Sequence, residues 1–261
     1  MIGVGFRRPL ERWIRSRPEE VGCLEITAEH FYDGGHRLLH ELADAYPLFL
    51  HGLGLSLGTP GTLDREQVER FAAIAAIAQP RWISEHIAFT RTAEVDLGHL
   101  NPLRPTRENL RVVAGHAREL AARCQRPLIL ENITSHLRLE GEMTEPDFLN
   151  DLCGEAGCGL LLDVTNLYIN SRNHRFDPLA WLHRLDPAHL VQLHLVGFSC
   201  TDDRYEDDHA QPIQEELFAL TREVVRHAPV QAIVIERDGN FPAPAEIAGE
   251  LRQLHAIDAG H

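Results

Sequence analysis

The feature that most constrains the fold is a repeat of short apolar segments, each of which ends in a polar side chain. Segment 159–163 reads GLLLD, an apolar run that starts at a glycine and ends in a carboxylate. Such a run is typical of a strand buried on both faces, as in a parallel sheet. A buried carboxylate without a partner is costly, so Asp163 is expected to meet a cation, a proton or hydrogen-bond donors. For one strand alone, an aspartate that caps the next loop is the commoner explanation.

The same design recurs, and helix-forming stretches separate the apolar segments. The predicted strands are 2–6, 23–27, 47–51, 82–89, 127–132, 159–163, 190–197 and 232–238. Asp64, Thr106 and Asp177 mark helix starts, because their side chains accept first-turn amides. Eight alternating units most simply close into an α/β (βα)8 TIM barrel, which is predicted to occupy residues 1–261 as a single domain. The structural alternative is a doubly wound open sheet, whose polar strand ends would cluster at one switch point.

Residues of ligand type lie at or near the ends of six predicted strands. They are His51, His86, Glu131, Asp163, His194 and Glu236. Strand ends of a barrel meet at one rim, so these side chains are expected to converge there. Asp207 and His209, on a predicted polar loop at 199–211, can turn over the same mouth. Together these imidazoles and carboxylates exceed the needs of one ion and predict two or three divalent ions such as iron, manganese or zinc.

Other polar residues near strand ends receive the ordinary structural interpretation. A single histidine in such a place is more often a hydrogen-bonded core or rim residue than a ligand. Glu25, Glu29, His30 and His99 are assigned to that class.

Composition excludes several function classes. All 25 basic residues are arginine, which removes Schiff-base lysine chemistry and the P-loop lysine. The formal net charge of −14 argues against nucleic acid as a partner. No window approaches the roughly 18 apolar residues of a membrane span, and no secretory signal begins the chain. The five cysteines lack zinc-ribbon spacing and are expected to be reduced thiols of a cytoplasmic protein.

Several motifs along the chain carry a family resemblance. They lie at 47–58 (PLFLHGLGLSLG), 83–86 (ISEH), 128–132 (LILEN), 158–168 (CGLLLDVTNLY), 194–197 (HLVG), 207–209 (DDH) and 235–238 (IERD). In this order they resemble the DUF692 proteins, also called multinuclear non-heme iron-dependent oxidative enzymes, which include the methanobactin biosynthesis enzyme.

The resemblance implies a TIM barrel with two or three iron ions that uses O2 to modify a residue, commonly cysteine, of a ribosomally made peptide. It implies a precursor peptide as substrate and a partner protein that presents it. We expect the partner to be needed, because the predicted barrel uses nearly all of the 261 residues. The family's metal-binding histidines correspond to His51, His86, His194 and His209. Its carboxylate ligands correspond to Glu131, Asp163, Asp207 and Glu236.

One position departs from the family pattern. Where the family commonly reads Asp-Val-Asn-Asn, this chain has threonine at position 165. A threonine hydroxyl is a poor neutral ligand for iron(II), so we expect two tightly held iron ions and a weaker third. The remaining ligands of the third ion would be Asp207, His209 and Asn166, which are predicted to lie on mobile loops. Asn132 and Asn166 are the candidate catalytic residues beyond the ligands.

The leading interpretation is therefore an iron- and O2-dependent enzyme that modifies a ribosomally synthesised peptide. The alternative is a zinc- or manganese-dependent isomerase or phosphodiester hydrolase on a xylose isomerase-like barrel. A non-catalytic barrel that binds metal or a partner ranks last.

Overall fold

Residues 1–92 and 94–259 are described by the structure, a computed structural model. The strands are β1 (Ile2–Gly5), β2 (Cys23–Thr27), β3 (Leu48–His51), β4 (Ile83–His86), β5 (Ala88–Arg91), β6 (Asp96–Pro102), β7 (Leu128–Glu131), β8 (Gly159–Asp163), β9 (Leu190–Leu195), β10 (Gly197–Thr201), β11 (Arg204–Gln211) and β12 (Ala232–Ile235). Eight of them form a closed barrel in the order β1-β2-β3-β4-β7-β8-β9-β12, and every neighbouring pair is parallel. Closure confirms the predicted TIM barrel and excludes the open sheet.

Helices follow the barrel strands and cover the outside of the barrel. They are α1 (Glu11–Arg15), α2 (His36–Ala45), α3 (Arg65–Ala78), α4 (Arg107–Cys124), α5 (Glu145–Ala156), α6 (Val164–His174), α7 (Pro178–Leu182), α8 (Glu215–His227) and α9 (Pro244–Asp258). The predicted caps are confirmed, because Asp64, Thr106 and Asp177 each accept a first-turn amide. Within the described residues, no helix has the length and apolar character needed to cross a membrane.

Two antiparallel hairpins interrupt the alternation, and the sequence predicted neither. The predicted strand 82–89 is two strands, because β4 ends at His86 and β5 then pairs with β6. The prediction of a loop at 199–211 is also wrong, because β10 pairs with β11 in this segment. Asp202 and Asp203 form the two-residue turn with φ of 51° and 60°. Aspartate tolerates this left-handed conformation, and such turns match the twist of a hairpin.

Helix α6 is a further element that the sequence did not predict. It begins directly after β8, and the Asp163 carboxylate caps it by accepting the Asn166 amide at 2.6 Å. Asn166 therefore lies in the first turn of a helix, and the prediction that it lies on a mobile loop is wrong. Many polar residues in α6 obscured its period in the sequence.

The inside of the barrel is layered, with an apolar floor below a polar layer. The floor comprises Cys23, Phe49, Trp82, Ile129, Leu161, Ala232 and Val234. Its Phe49 and Trp82 rings stack with centroids 4.2 Å apart. The polar layer comes two positions later on the same segments, where side chains face the same side. It contains Glu25, His51, Ser84, Glu131, Asp163 and Glu236, all buried. The floor thus closes the site from below.

The floor makes Cys23 an inert thiol, which gives a testable contrast with Cys200 on the exposed hairpin. Burial raises the pKa of the Cys23 thiol to about 12, so at pH 8 only about one molecule in ten thousand carries the reactive thiolate. We expect a disulfide reagent to modify Cys200 within minutes and Cys23 only after unfolding. Mass mapping of the labelled cysteines checks this, with Cys200→Ser as the control. Rapid labelling of Cys23 in folded protein would contradict the closed floor.

Candidate metal centre

The structure brings all eight predicted ligands together at one end of the barrel. Strand register sets the first of these contacts, because β4 places His86 beside Glu131 and β8 places Asp163 beside His194. The eight are His51, His86, Glu131, Asp163, His194, Asp207, His209 and Glu236. The convergence arises because the carboxyl ends of parallel barrel strands share one rim.

Glu131 is the centre of this cluster. Its Oε2 atom lies 3.4 Å from Nε2 of both His51 and His86. Its Oε1 atom lies 3.1 Å from Nδ1 of His194. The same His194 nitrogen is 3.2 Å from Oε2 of Glu236, so two carboxylates face one ring edge.

Asp207 and His209 reach the rim from a bulge in β11. The hairpin register shifts opposite them, and His209 has a φ of 50°. A bulge re-aims side chains, and here the His209 carbonyl also accepts the Asp238 amide at 2.8 Å. His209 Nε2 lies 3.0 Å from Asp207, and its Nδ1 lies 3.9 Å from Glu236. The two residues therefore belong to a strand, and the prediction of a mobile loop is wrong for them.

Among residues 1–92 and 94–259, four overlapping groups of side chains each place their ligand atoms within 4.8 Å of one another. They are His51, His86 and Glu131; Glu131, Asp163 and His194; Glu25, His194 and Glu236; and His209, Glu236 and Asp238. Shared members link each group to the next. The arrangement could therefore hold several metal ions bridged by carboxylates.

Unpaired polar atoms test whether these residues fit metal ions. Buried polar atoms in proteins are nearly always hydrogen bonded. Five of the predicted ligands nevertheless bury an atom that makes no hydrogen bond of good geometry, even where an oppositely charged atom lies close to it. These atoms are His51 Nε2, Glu131 Oε2, Asp163 Oδ2, Asp207 Oδ1 and His209 Nδ1. The donors are imidazole nitrogen and carboxylate oxygen, a set that suits iron, manganese or zinc. The residues present therefore fit a multinuclear site.

Protons balance the charge of this cluster in the metal-free protein. Burial lowers the pKa of His194, but Glu25, Glu131 and Glu236 outweigh it and hold that pKa well above its ordinary value. Burial likewise opposes the rise in the pKa of His86, which Glu131 and its neighbour carboxylates bring to about 9. Burial and nearby carboxylates together raise the pKa of Asp163. Such proton sharing marks a site with more negative charge than its own side chains can neutralise.

Several residues that contact the cluster were missed or misassigned, among them Glu25, Arg7 and Asp238. Glu25 was assigned to the ordinary core, but its Oε1 atom lies 2.7 Å from His194 Nε2. Arg7 is buried, donates to Glu236 at 2.9 Å and also contacts Asp238. Asp238 in turn lies 3.2 Å from His209. Nothing in the sequence distinguishes Arg7 from the other arginines among the 25. Glu25, by contrast, lies two positions after the floor residue Cys23, and this spacing places both side chains on the same face of the strand.

Glu29 and His99, which were also assigned to the ordinary class, each make a structural contact. Glu29 accepts the amides of Leu53 and Gly54 and so shapes the loop after β3. His99 is exposed on the β5–β6 hairpin and contacts the Leu97 carbonyl.

The candidate catalytic asparagines join the ends of two strands. Asn132 accepts the Asp163 amide at 2.8 Å and donates to its carbonyl at 3.1 Å. Asn166 donates to the Asn132 carbonyl at 3.1 Å and accepts from Thr134. These bonds hold the backbone around Asp163, and a catalytic role for either amide stays a prediction.

Thr165 binds the backbone beside the site, which yields a stability prediction. Its buried hydroxyl donates to the Val196 carbonyl at 2.7 Å and accepts the Val196 amide at 3.1 Å. Thr165→Val leaves both backbone groups unpaired, so the free energy of unfolding should fall by about 1–3 kcal/mol. Urea unfolding measures the change, and Thr165→Ser, which keeps the hydroxyl, is the control. Equal stability of the two variants would contradict this role. The weaker third ion stays a prediction.

Comparison with solved structures identifies the fold. The chain is similar to D-psicose 3-epimerase from Clostridium cellulolyticum, with a TM-score of 0.66, 11% identity and coverage of 99% of this chain and 98% of that chain. It is also similar to endonuclease IV from Thermus thermophilus, with a TM-score of 0.62, 16% identity and coverage of 100% and 99%. At these identities the likeness shows the barrel fold alone.

Comparison of sequences identifies the family. A UPF0276 protein from Chromobacterium violaceum is 35% identical, over 100% of this chain and 95% of that protein. A UPF0276 protein from Shewanella oneidensis is 34% identical, over 99% and 94%. The family described as "RiPP precursor modification enzyme MbnB/TglH/ChrH" matches residues 1–259. The chain therefore belongs to this family, whose members modify the precursors of ribosomally synthesised and post-translationally modified peptides (RiPPs).

Proposed function

We propose that this protein is a cytoplasmic, iron- and O2-dependent enzyme that modifies a residue, most simply a cysteine, of a ribosomally synthesised precursor peptide. The observation that carries the proposal is the set of buried, unpaired imidazole and carboxylate atoms at the barrel rim. Family membership supports the precursor peptide as the substrate class. The resemblance to iron-dependent oxidative enzymes supports iron and O2.

The linked groups described above are the proposed metal ligands. Bound iron would supply redox capacity towards O2 and a Lewis-acidic partner for the substrate thiolate. The proposed ligands are His51, His86, Glu131, Asp163, His194, Asp207, His209 and Glu236, and Asp238 joins the last group.

Side chains next to the proposed ligands orient them. Ser84 Oγ lies 2.8 Å from Nδ1 of His51, which leaves the Nε2 atom of this ring facing Glu131. Glu85 contacts Nδ1 of His86 at 3.2 Å and leaves its Nε2 atom facing Glu131 as well. Ligand histidines in proteins are commonly held through their second nitrogen in this way. The apolar floor keeps water from entering from below, and the β10–β11 hairpin lies at the mouth on the rim side.

Metal analysis of protein purified without oxygen tests the proposal. We expect more than one iron per chain and an O2-dependent mass change of a precursor peptide. Alanine at His51, Asp163, His194 or Glu236 should lower the metal content while far-UV circular dichroism stays near that of wild type. Full metal retention in all four variants would refute the ligand assignment. Zinc or manganese alone, without any O2-dependent reaction, would favour an isomerase or hydrolase.

The proposal includes a partner protein that presents the peptide, as the family resemblance implies. An isolated core peptide without its leader should then react poorly, because binding of the leader and partner supplies the proximity that aligns the reacting residue. Mass spectrometry of leaderless and full-length precursor incubated with O2, with and without the partner, makes the comparison. Efficient modification of the leaderless peptide by this protein alone would refute the partner requirement.

A further inference from the structure

A chain of buried hydrogen bonds crosses the barrel interior just below the proposed metal centre. The Trp82 indole N–H donates to Oε1 of Gln192 at 2.7 Å. The Gln192 amide N–H donates to Oε2 of Glu25 at 2.5 Å. The other Glu25 oxygen, Oε1, lies 2.7 Å from Nε2 of His194. Gln192 and His194 are fully buried, and Glu25 is 2% exposed, so no water competes for these bonds.

The chemistry of the donors sets the direction of the chain. An indole N–H can only donate, so Gln192 must turn its oxygen to Trp82 and its NH2 group to Glu25. A carboxylate can only accept, so the 2.7 Å contact with Glu25 places a proton on Nε2 of His194. The Gln192 nitrogen also lies 3.1 Å from that Nε2 atom.

The opposite edge of the His194 ring faces the metal centre. Its Nδ1 atom lies 3.1 Å from Glu131 and 3.2 Å from Glu236. When a metal ion displaces the proton from Nδ1, the imidazole that remains carries its proton on Nε2 and presents the Nδ1 lone pair to the centre. We propose that Glu25 is a positioning residue that fixes this tautomer of His194, with Gln192 and Trp82 holding Glu25 in place. The inference rests on the metal centre of the proposed function.

Glu25 could instead be a metal ligand, because it shares a 4.8 Å group with His194 and Glu236. Hydrogen bonding favours the positioning role. Both Glu25 oxygens already have partners, one in His194 and one in Gln192. The unpaired atoms of the centre belong to other residues.

Glu25→Gln tests the tautomer with almost no change of shape. Because Gln192 presents a donor, the new amide must turn its oxygen to Gln192 and its NH2 group to His194. His194 Nε2 must then accept, and the proton moves to Nδ1, where it blocks the metal. We expect Co2+ affinity to fall about 10- to 100-fold, the size typical for lost outer hydrogen bonds to ligand histidines. Titration of metal-free protein with Co2+, followed by visible ligand-field absorption, gives the affinity.

A second substitution should rescue the first. Trp82→Phe removes the indole donor, so in the double variant Gln192 can rotate its amide and accept from the amide introduced at position 25. The oxygen of that introduced amide can then accept from Nε2 of His194, and Co2+ affinity should return to within about threefold of Trp82→Phe alone. A ligand role for Glu25 predicts no rescue, because an amide replaces the ligating carboxylate in both variants. A packing role predicts that the double variant binds Co2+ more weakly than either single variant.

Three outcomes overturn the inference. Unchanged Co2+ affinity in Glu25→Gln, with tight binding by wild type, refutes the positioning role and leaves the metal centre standing. Failure of the double variant to recover, with thermal unfolding showing that it is folded, refutes the tautomer mechanism. Absence of Co2+ binding by wild type overturns this inference together with the metal centre. Since Co2+ replaces iron and no O2 is used, failure of the proposed oxidative chemistry alone leaves the result unaffected.

Discussion

Glu131→Gln is expected to empty more than one metal position at once. Glu131 belongs to two of the four ligand groups, one with His51 and His86 and one with Asp163 and His194. Its two oxygens face different histidines, so the carboxylate could serve two neighbouring ions. A neutral amide cannot supply both bonds or the charge. Elemental analysis of protein prepared without oxygen should show a loss of more than one metal equivalent.

His86→Ala is the matched control, because His86 belongs to a single ligand group. It should lose at most one equivalent. The metal-free Glu131→Gln protein should also unfold about 3–5 kcal/mol more easily in urea, because buried protonated histidines lose their counter-charge. Burial raises the pKa of Glu131, but His194 and His86 outweigh it and keep this group ionised. Equal metal loss in Glu131→Gln and His86→Ala would show that Glu131 does not bridge.

Arg7→Met is expected to produce the second large effect, on stability. The Arg7 guanidinium donates to Glu236 at 2.9 Å and contacts Asp238, so one cation serves two carboxylates. Glu236 is buried at 4% exposure, and without Arg7 only His194 and His209 remain to compensate its buried charge. The free energy of unfolding of the metal-free protein should fall by about 3–5 kcal/mol in urea. Methionine fills a similar volume, so lost packing contributes little.

Arg123→Met provides the matched control, because the Arg123–Glu69 pair lies on the surface. Its effect should be much smaller, since water solvates both charges. Added metal should restore part of the stability of Arg7→Met, because a bound cation replaces the missing positive charge beside Glu236. Similar destabilisation by the two substitutions would show that burial does not strengthen the contribution of the Arg7–Glu236 pair to stability.

The sequence alone was enough to predict the barrel and to predict which residues lie at its rim. Apolar strand runs and helix caps are local signals, since burial on two faces and free first-turn amides act over a few residues. The strand-end positions of His51, Asp163 and Glu236 followed from the same pattern. Their convergence followed from topology, because parallel strands in one barrel end on the same side.

Only the tertiary structure decided which side chains support the proposed ligands. Arg7 meets Glu236 across 229 residues of chain, and Glu25 meets Gln192 across 167. No local period encodes such contacts, because closure of the barrel brings the strands together. The β10–β11 hairpin was hidden for a related reason. Its acidic segment resembles a solvated loop until strand pairing and the positive φ at Asp202 give it a sheet partner.

His194 shows most clearly which properties the sequence determines and which the tertiary structure determines. Its position at the end of β9 is a property of the sequence. Which of its nitrogens faces the proposed metal centre depends on Glu25 on one side and on Glu131 and Glu236 on the other. Glu25 and Glu131 come from two other strands and Glu236 from the position directly after β12, and only their packing in a buried interior fixes the direction of each hydrogen bond.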